Sequence, residues 1–298
     1  MGIRIHTFEL TAYLDTKGKK NKDTYDVATG IRANERDNKN WKTLHLIITP
    51  CKILGGNKLS LWKPDEQSIA KLLKKLRNGI SEYYNDDIEL DDFELTGLHL
   101  TRDCNVNSEK KVVAYIQILK NIGKISGFNM KYEKPYETSH DLKSSSGIEF
   151  TGYGKYADCE LDEAKGLLRI EVKLVKKKAI NNYTNETELS AQLMDLYKKR
   201  KKIFNETFEK IVPPGKHCTM KQAEKLIKKK VSKKSQQLKM MNFLKLSKKM
   251  TLHEAKKELK DKNFFRIIEK FIEINLSPVT IRKRYGISEL KSLYDYLE

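Results

Sequence analysis

The sequence has no run of 18 apolar residues, so it offers no candidate for a membrane-spanning helix and no membrane partner. Its first ten residues, MGIRIHTFEL, hold no apolar signal core, and the chain reads as cytoplasmic. The four cysteines, Cys51, Cys104, Cys159 and Cys218, stand far apart, which argues against a zinc site or a disulfide framework. No Gly-rich phosphate loop ending in Lys-Ser/Thr is present, which argues against an ATP-driven motor or a dinucleotide enzyme. No His-hydrophobic-His triplet occurs either.

What is present is positive charge, unevenly placed. Residues 1–160 carry 25 Lys and Arg against 23 Asp and Glu, whereas residues 161–298 carry 34 against 17. Nearly all of the net +19 therefore lies in the second part. Residues 196–260 alone hold 21 basic and 5 acidic side chains, which suits a clamp on a polyanion backbone. A solvated Lys-rich surface is the alternative. At 298 residues the chain can bury one large core or two ordinary ones.

Residues 3–9 alternate, which predicts an early strand followed by a Lys-rich turn. Residues 41–49, WKTLHLIIT, predict a second strand that Pro50 ends. Ile69, Leu72, Leu73, Leu76 and Ile80 recur at helical spacing over 65–80, and an acidic turn follows at Asp86 to Asp92. Strands are expected at 93–100, 148–156 and 167–175, a helix at 108–120, and a turn at 137–147. This mixture predicts an α+β fold, an antiparallel sheet with helices on one face. Beyond residue 185 the period becomes 3.6, giving a basic all-helical C-terminal part. Helices are expected from Leu189 toward residue 210, after Thr219 through Ala223, Leu226 and Ile227, over 236–248, after Thr251 where Glu254 completes a capping box, and over 262–274. The final stretch, LSPVTIRKRYGISELKSLYDY, has the composition of a helix–turn–helix unit or of a compact helical bundle. Two domains follow from this reading, 1–180 and 181–298.

Alternation sorts the side chains of the middle strands. Arg169, Glu171 and Lys173 share one face of LLRIEVKLV, and Glu149, Thr151, Tyr153 and Lys155 share one face of IEFTGYGKY if Gly152 and Gly154 do not bend it. Such a face can hold a divalent metal between carboxylates, bind phosphate and present a Tyr hydroxyl. It can equally be a solvent face stabilised by cross-strand pairs. Asp103 follows the strand that contains His99, and an extended chain would hold the two about 13 Å apart. His45 sits in an apolar setting and reads as a packed residue. His6, His140, His217 and His253 stand singly and carry no assigned chemistry.

Four stretches resemble the replication-initiation proteins that start rolling-circle replication of small plasmids, filamentous-type phages and integrative elements. They are ITPCKILGGNKL (48–59), LTGLHLTRDCNVN with VVAYIQILK (95–120), GYGKYADCELDEAKGLLRIEVKLVKKKAI (152–180) and INLSPVTIRKRYGISEL (274–290). The resemblance implies a nicking domain over 1–180 and a DNA-binding domain over 181–298. It implies an endonuclease and strand transferase that cuts one strand of its own origin through a Tyr, leaves a 3′ hydroxyl and later rejoins the strand. Tyr153 is the implied nucleophile with Lys155 beside it, and Tyr156 and Tyr115 stay open as alternatives. Asp103 and Glu171 are the implied metal ligands, His99 and Glu149 on the same strands are further metal candidates, and an all-carboxylate site favours Mg²⁺ or Mn²⁺ by ligand hardness. Gly154 stands where the family's stretch has Asp. Implied partners are origin DNA in double- and single-stranded form, a host helicase and polymerase, and a second copy in a homodimer. A non-catalytic origin-binding protein or repressor, and an RNA-binding protein, are the competing readings.

Overall fold

The computed structural model describes residues 2–14, 22–37, 42–84, 88–125, 127–133, 136–259 and 261–297. The expected Lys-rich turn, and residues 85–87 at the acidic turn, lie outside them. Along the chain come β1 (Arg4–Leu14), β2 (Lys22–Ala28), β3 (Ile31–Asp37), β4 (Lys42–Ile48), α1 (Pro50–Ile53), α2 (Glu66–Tyr84), β5 (Glu94–Asn105) and α3 (Glu109–Ile122). Next are β6 (Phe128–Met130), β7 (Ser139–Ser144), β8 (Ile148–Gly154), α4 (Lys155–Cys159), β9 (Leu167–Leu174) and α5 (Lys177–Asn181). The remainder is α6 (Leu189–Lys198), α7 (Arg200–Ile211), β10 (His217–Cys218), α8 (Met220–Lys230), α9 (Lys234–Lys249), α10 (Leu252–Leu259), α11 (Asp261–Glu273) and β11 (Glu289–Leu290). No helix among the described residues is long and apolar enough to cross a membrane.

Nine strands form one antiparallel sheet in the order β2-β3-β4-β1-β5-β9-β8-β7-β6. Alternation gives it two unlike faces. Phe8, Leu10, Leu46, Leu98, Leu100, Ile170 and Val172 are buried on one of them. The helices cover that face: α2 with Ile69, Leu72, Leu76 and Ile80, and α3 with Val112, Ile116 and Leu119. Gly152 and Gly154 permit this, because a Cβ at Gly152 would lie 2.5 Å from Leu119 Cδ1 and one at Gly154 3.1 Å from Val112 Cγ1. The α+β architecture expected from the sequence is thus observed, with a largely helical C-terminal region after it.

Three local readings are corrected. The expected turn at 137–147 contains β7, whose His140 and Leu142 are fully buried while Ser139, Asp141 and Lys143 alternate with them. The helix expected over 189–210 is two helices meeting at Lys199, with Glu188 capping the first by accepting from the Ala191 N–H at 2.9 Å. The C-terminal stretch holds no helix–turn–helix. Leu276 and Ile281 bridge in parallel to Lys216 and Thr219, and β11 pairs with β10. Pro278, the β-branched run Val279–Ile281 and Gly286 at φ +64° oppose a continuous helix there. The capping box is present, with Glu254 N–H donating to Thr251 Oγ1 and Thr251 N–H donating to Glu254 Oε2.

Helix α7 packs back on the sheet, where the Phe208 ring centre lies 6.4 Å from that of Phe150 and 6.0 Å from that of Phe204. Phe243 of α9 meets Phe264 and Phe271 of α11. The C-terminal segment ties these parts together, as Tyr115 Oη donates to Lys291 O at 3.0 Å and Tyr294 Oη to Val212 O at 2.8 Å.

Two buried histidines make this fold sensitive to acid. His140 and His217 are both fully buried, and burial lowers each from 6.5 to about 4. The unfolded chain therefore takes up protons first as pH falls, and stability present above pH 6.5 is lost toward pH 4. Each should cost about 2 kcal/mol between pH 7 and pH 5. Urea unfolding at the two pH values checks this, and replacing either His by Gln should flatten the dependence.

Candidate active site

The face of the sheet opposite the helices carries the polar residues in register. Asp103, Arg169 and Tyr153 form one cross-strand row over β5, β9 and β8; Thr101, Glu171 and Thr151 form the next; His99, Lys173 and Glu149 form a third. A β-bulge in β1 adds to this set. Ile5 pairs with Leu100 and Thr7 with His99, so His6 is the extra residue between them. Two residues of β1 then oppose one of β5, and His6 is aimed toward Glu171 while Phe8 returns to the core.

His6, His99 and Glu171 each bring one ligand atom to within 4.8 Å of the others. His6 Nδ1 lies 3.5 Å from Glu171 Oε1. Burial brings His6 down to about 4, with Glu171 acting in the opposite sense, so its imidazole is neutral at pH 7 and has a lone pair to give. Burial works against the Glu171 charge, yet Lys173, then His6, His99 and Arg169, hold it at about 2. Lys173 Nζ is 3.2 Å from its second oxygen.

Glu9 fixes the orientation of His99. Its Oε1 is 3.1 Å from His99 Nε2 and its Oε2 is 3.2 Å from His45 Nε2. Burial opposes its charge, but hydrogen bonds from His45 and His99 hold the carboxyl well below the usual carboxylate range. An ionised carboxylate only accepts, so both Nε2 atoms carry the proton and Nδ1 is left as the lone-pair nitrogen of His99. The carboxylate occupies space that Gly97 leaves open, since a Cβ there would lie 2.5 Å from Glu9 Oε2. This is the carboxylate–histidine arrangement that commonly stands behind a metal ligand. His45, expected as a packed residue, is part of it.

Two imidazoles and one carboxylate fit a divalent ion. Thr101 Oγ1 and Thr151 Oγ1, on either side of Glu171 in register, are buried and lack a hydrogen-bond partner, which leaves polar capacity beside the cluster. Of the expected metal set, His99 and Glu171 fall in this group, joined by His6, while Asp103 and Glu149 do not. Mn²⁺ should bind once per chain by calorimetry, and His6→Ala or His99→Ala should weaken it at least about 10- to 100-fold. Unchanged affinity in both variants would remove the cluster as a metal centre.

The other sequence-derived candidates fall as follows. Tyr153 Oη donates to Glu171 Oε1 at 3.0 Å, and burial, then Glu171, pushes the phenol well above its usual range. Lys155 opens α4 and does not continue the strand; its side chain is 3% exposed, with Nζ 2.5 Å from Asp158 and 6.0 Å from the Tyr153 ring centre. Tyr156, also on α4, is half-buried with Lys165 over its ring at 5.2 Å. Asp103 is not beside the cluster ligands. It holds Arg169 in a bidentate pair at 2.7 and 2.8 Å. Glu149 pairs with Lys131 at 2.7 Å. His6 escaped the sequence reading because nothing in a single strand signals its partners on β5 and β9.

A cleft of about 500 Å³ opens over this face, lined among others by His6, His99, Glu171, Tyr153, Arg32 and Lys173. No protein-family model matches the chain. No curated protein is similar to it either. Among solved structures, a rolling-circle replication initiator protein from Geobacillus stearothermophilus aligns with 95% of this chain and 98% of its own, at 12% identity and a TM-score of 0.30. That likeness is a distant one.

Proposed function

We propose that the chain nicks and rejoins one DNA strand at a replication origin through Tyr153 and a divalent metal, as rolling-circle initiators do. One observation carries this reading: the Tyr153 hydroxyl donates at 3.0 Å to Glu171, a member of the His6–His99–Glu171 group. A nucleophile and a metal ligand in direct contact, in a cleft with Arg and Lys, are what phosphoryl transfer to a Tyr requires. The four resembling sequence stretches and the basic helical region support the same reading.

His6, His99 and Glu171 would hold the ion, and Mn²⁺ suits their imidazoles better than Mg²⁺ does. Bound there, it would supply Lewis-acid polarisation of a phosphoryl oxygen. Glu171 orients the Tyr153 hydroxyl and accepts its hydrogen bond. The Tyr153 oxygen attacks phosphorus and loses its proton, the P–O3′ bond breaks, and the departing 3′ oxygen gains a proton. The free 3′ hydroxyl then serves a polymerase. Rejoining is the reverse attack, which restores the phenol. Lys173, which lines the cleft, offsets negative charge around the reacting phosphate. On this reading residues 1–180 do the chemistry, and residues 181–298 grip the DNA backbone with their excess of Lys and Arg. Position comes from such contacts, and sequence preference does not.

The test is incubation with supercoiled DNA carrying the chain's own gene and its flanks, with Mn²⁺ or with EDTA. A covalent protein–DNA adduct on a denaturing gel, present with Mn²⁺ and absent with EDTA, is expected. Tight binding without an adduct at any Mn²⁺ concentration would leave an origin-binding protein in its place.

A further inference from the structure

We infer that Tyr132 and Tyr136 form a stacking platform for unpaired bases of single-stranded DNA at the mouth of the active-site cleft. This rests on the proposed DNA-cleaving reading and names how the strand is held there. Both residues line the same cleft as His6, Glu171 and Tyr153. They are among the exposed large hydrophobic residues, at 39% and 61%. Their rings meet edge to face, with centroids 5.4 Å apart at 77°, and their exposure leaves ring surface that a flat group can stack on.

The surroundings fix the platform and charge it. Lys131 N–H donates to Asp141 O at 3.0 Å, which ties the base of Tyr132 to β7. Lys120 Nζ donates to Tyr136 O at 2.6 Å and Glu137 O at 2.9 Å, which ties the other residue to α3. Lys131 Nζ lies 5.6 Å from the Tyr132 ring centre, and Arg32 and Lys173 line the cleft together with Tyr132 and Tyr136. Exposed aromatic rings interleaved with cations along a groove are how proteins hold unpaired strands, the rings taking bases and the cations taking phosphates. A duplex keeps its bases stacked inside and offers no face to these rings. The platform therefore selects a strand that is already open, and sets an unpaired nucleotide beside the phosphate that Tyr153 would attack.

The experiment measures binding of labelled oligothymidylate and of an abasic oligomer of the same length, about 12 nucleotides, by fluorescence anisotropy without metal. Wild-type protein should prefer oligothymidylate. Tyr132→Ala with Tyr136→Ala should weaken oligothymidylate about 10- to 100-fold and leave the abasic oligomer within about twofold. Tyr132→Phe with Tyr136→Phe should restore binding, because the ring face and not the hydroxyl does the holding. Both side chains are exposed, so an unchanged melting temperature is expected and is measured alongside. Equal binding of oligothymidylate by wild type and the double Ala variant, equal loss of both oligomers, or no wild-type preference for bases overturns the platform. The nicking reading falls separately: base-dependent binding with no adduct keeps the platform and removes the chemistry. Normal adduct formation with base-independent binding does the opposite.

Discussion

Replacing Tyr153 by Phe should abolish the covalent adduct, a loss of at least about 10³-fold, while Mn²⁺ binding and folding stay near wild type. The variant removes one oxygen and keeps the ring. Glu171 loses the hydrogen bond from Tyr153 but retains Lys173 at 3.2 Å and His6 at 3.5 Å, so the cost to stability is about 1 kcal/mol. Glu171→Gln gives the contrasting result, losing metal and adduct together. Two further tyrosines make the assignment specific. Tyr156→Phe should keep nearly full activity, since that ring stands on α4 against Lys165. Tyr115→Phe should also stay active, because Tyr115 is fully buried and donates to Lys291 O. An adduct that persists in Tyr153→Phe and vanishes in Tyr156→Phe would move the nucleophile to α4. Denaturing gels with mass spectrometry of the modified peptide read all four variants.

The parts of this arrangement legible in the sequence are those set within one strand. Alternation in 148–154 and 167–174 placed Tyr153 and Glu171 on polar faces, and the antiparallel register then brought them to a hydrogen bond. Strands β4, β5 and β9 were legible for the same reason, each having an apolar row to bury. Strands β2, β3, β6 and β7 were not. They are short or polar and lie toward the two edges, where cross-strand contacts such as Tyr25 with Glu35 between β2 and β3 contribute more than an apolar stripe. His6 was hidden by a different cause. Its role depends on a bulge in β1 and on two strands far along the chain, and no local pattern encodes either. Asp103 shows the limit from the other side. Its face was legible, but whether a carboxylate meets a metal or a guanidinium is decided by which strand pairs with it.

That pairing makes Arg169 the residue whose loss should cost the fold most. Its side chain is fully buried, and Asp103, 7% exposed, accepts from both Nε and Nη2. Asp103 opposes Arg169 on β5 and Tyr153 opposes it on β8, so Arg169 sits at the centre of that cross-strand row. Arg169→Met leaves the Asp103 carboxylate in a dry site without its partner, which should destabilise by about 3–5 kcal/mol. For a chain of this size that is a fall in melting temperature on the order of 10 °C. Arg169→Lys should recover only part, because an ammonium is a single point and cannot reproduce the two-pronged contact. Combining Arg169→Met with Asp103→Leu should recover most of the stability, since neither position then leaves an unpaired buried charge. Thermal unfolding of the three variants separates these outcomes. If the double variant is stable and still forms the adduct, the ion pair is a structural strut of the row. If it is stable and inactive with Mn²⁺ binding intact, Arg169 acts on the reaction by holding Tyr153 and the charge around it in place.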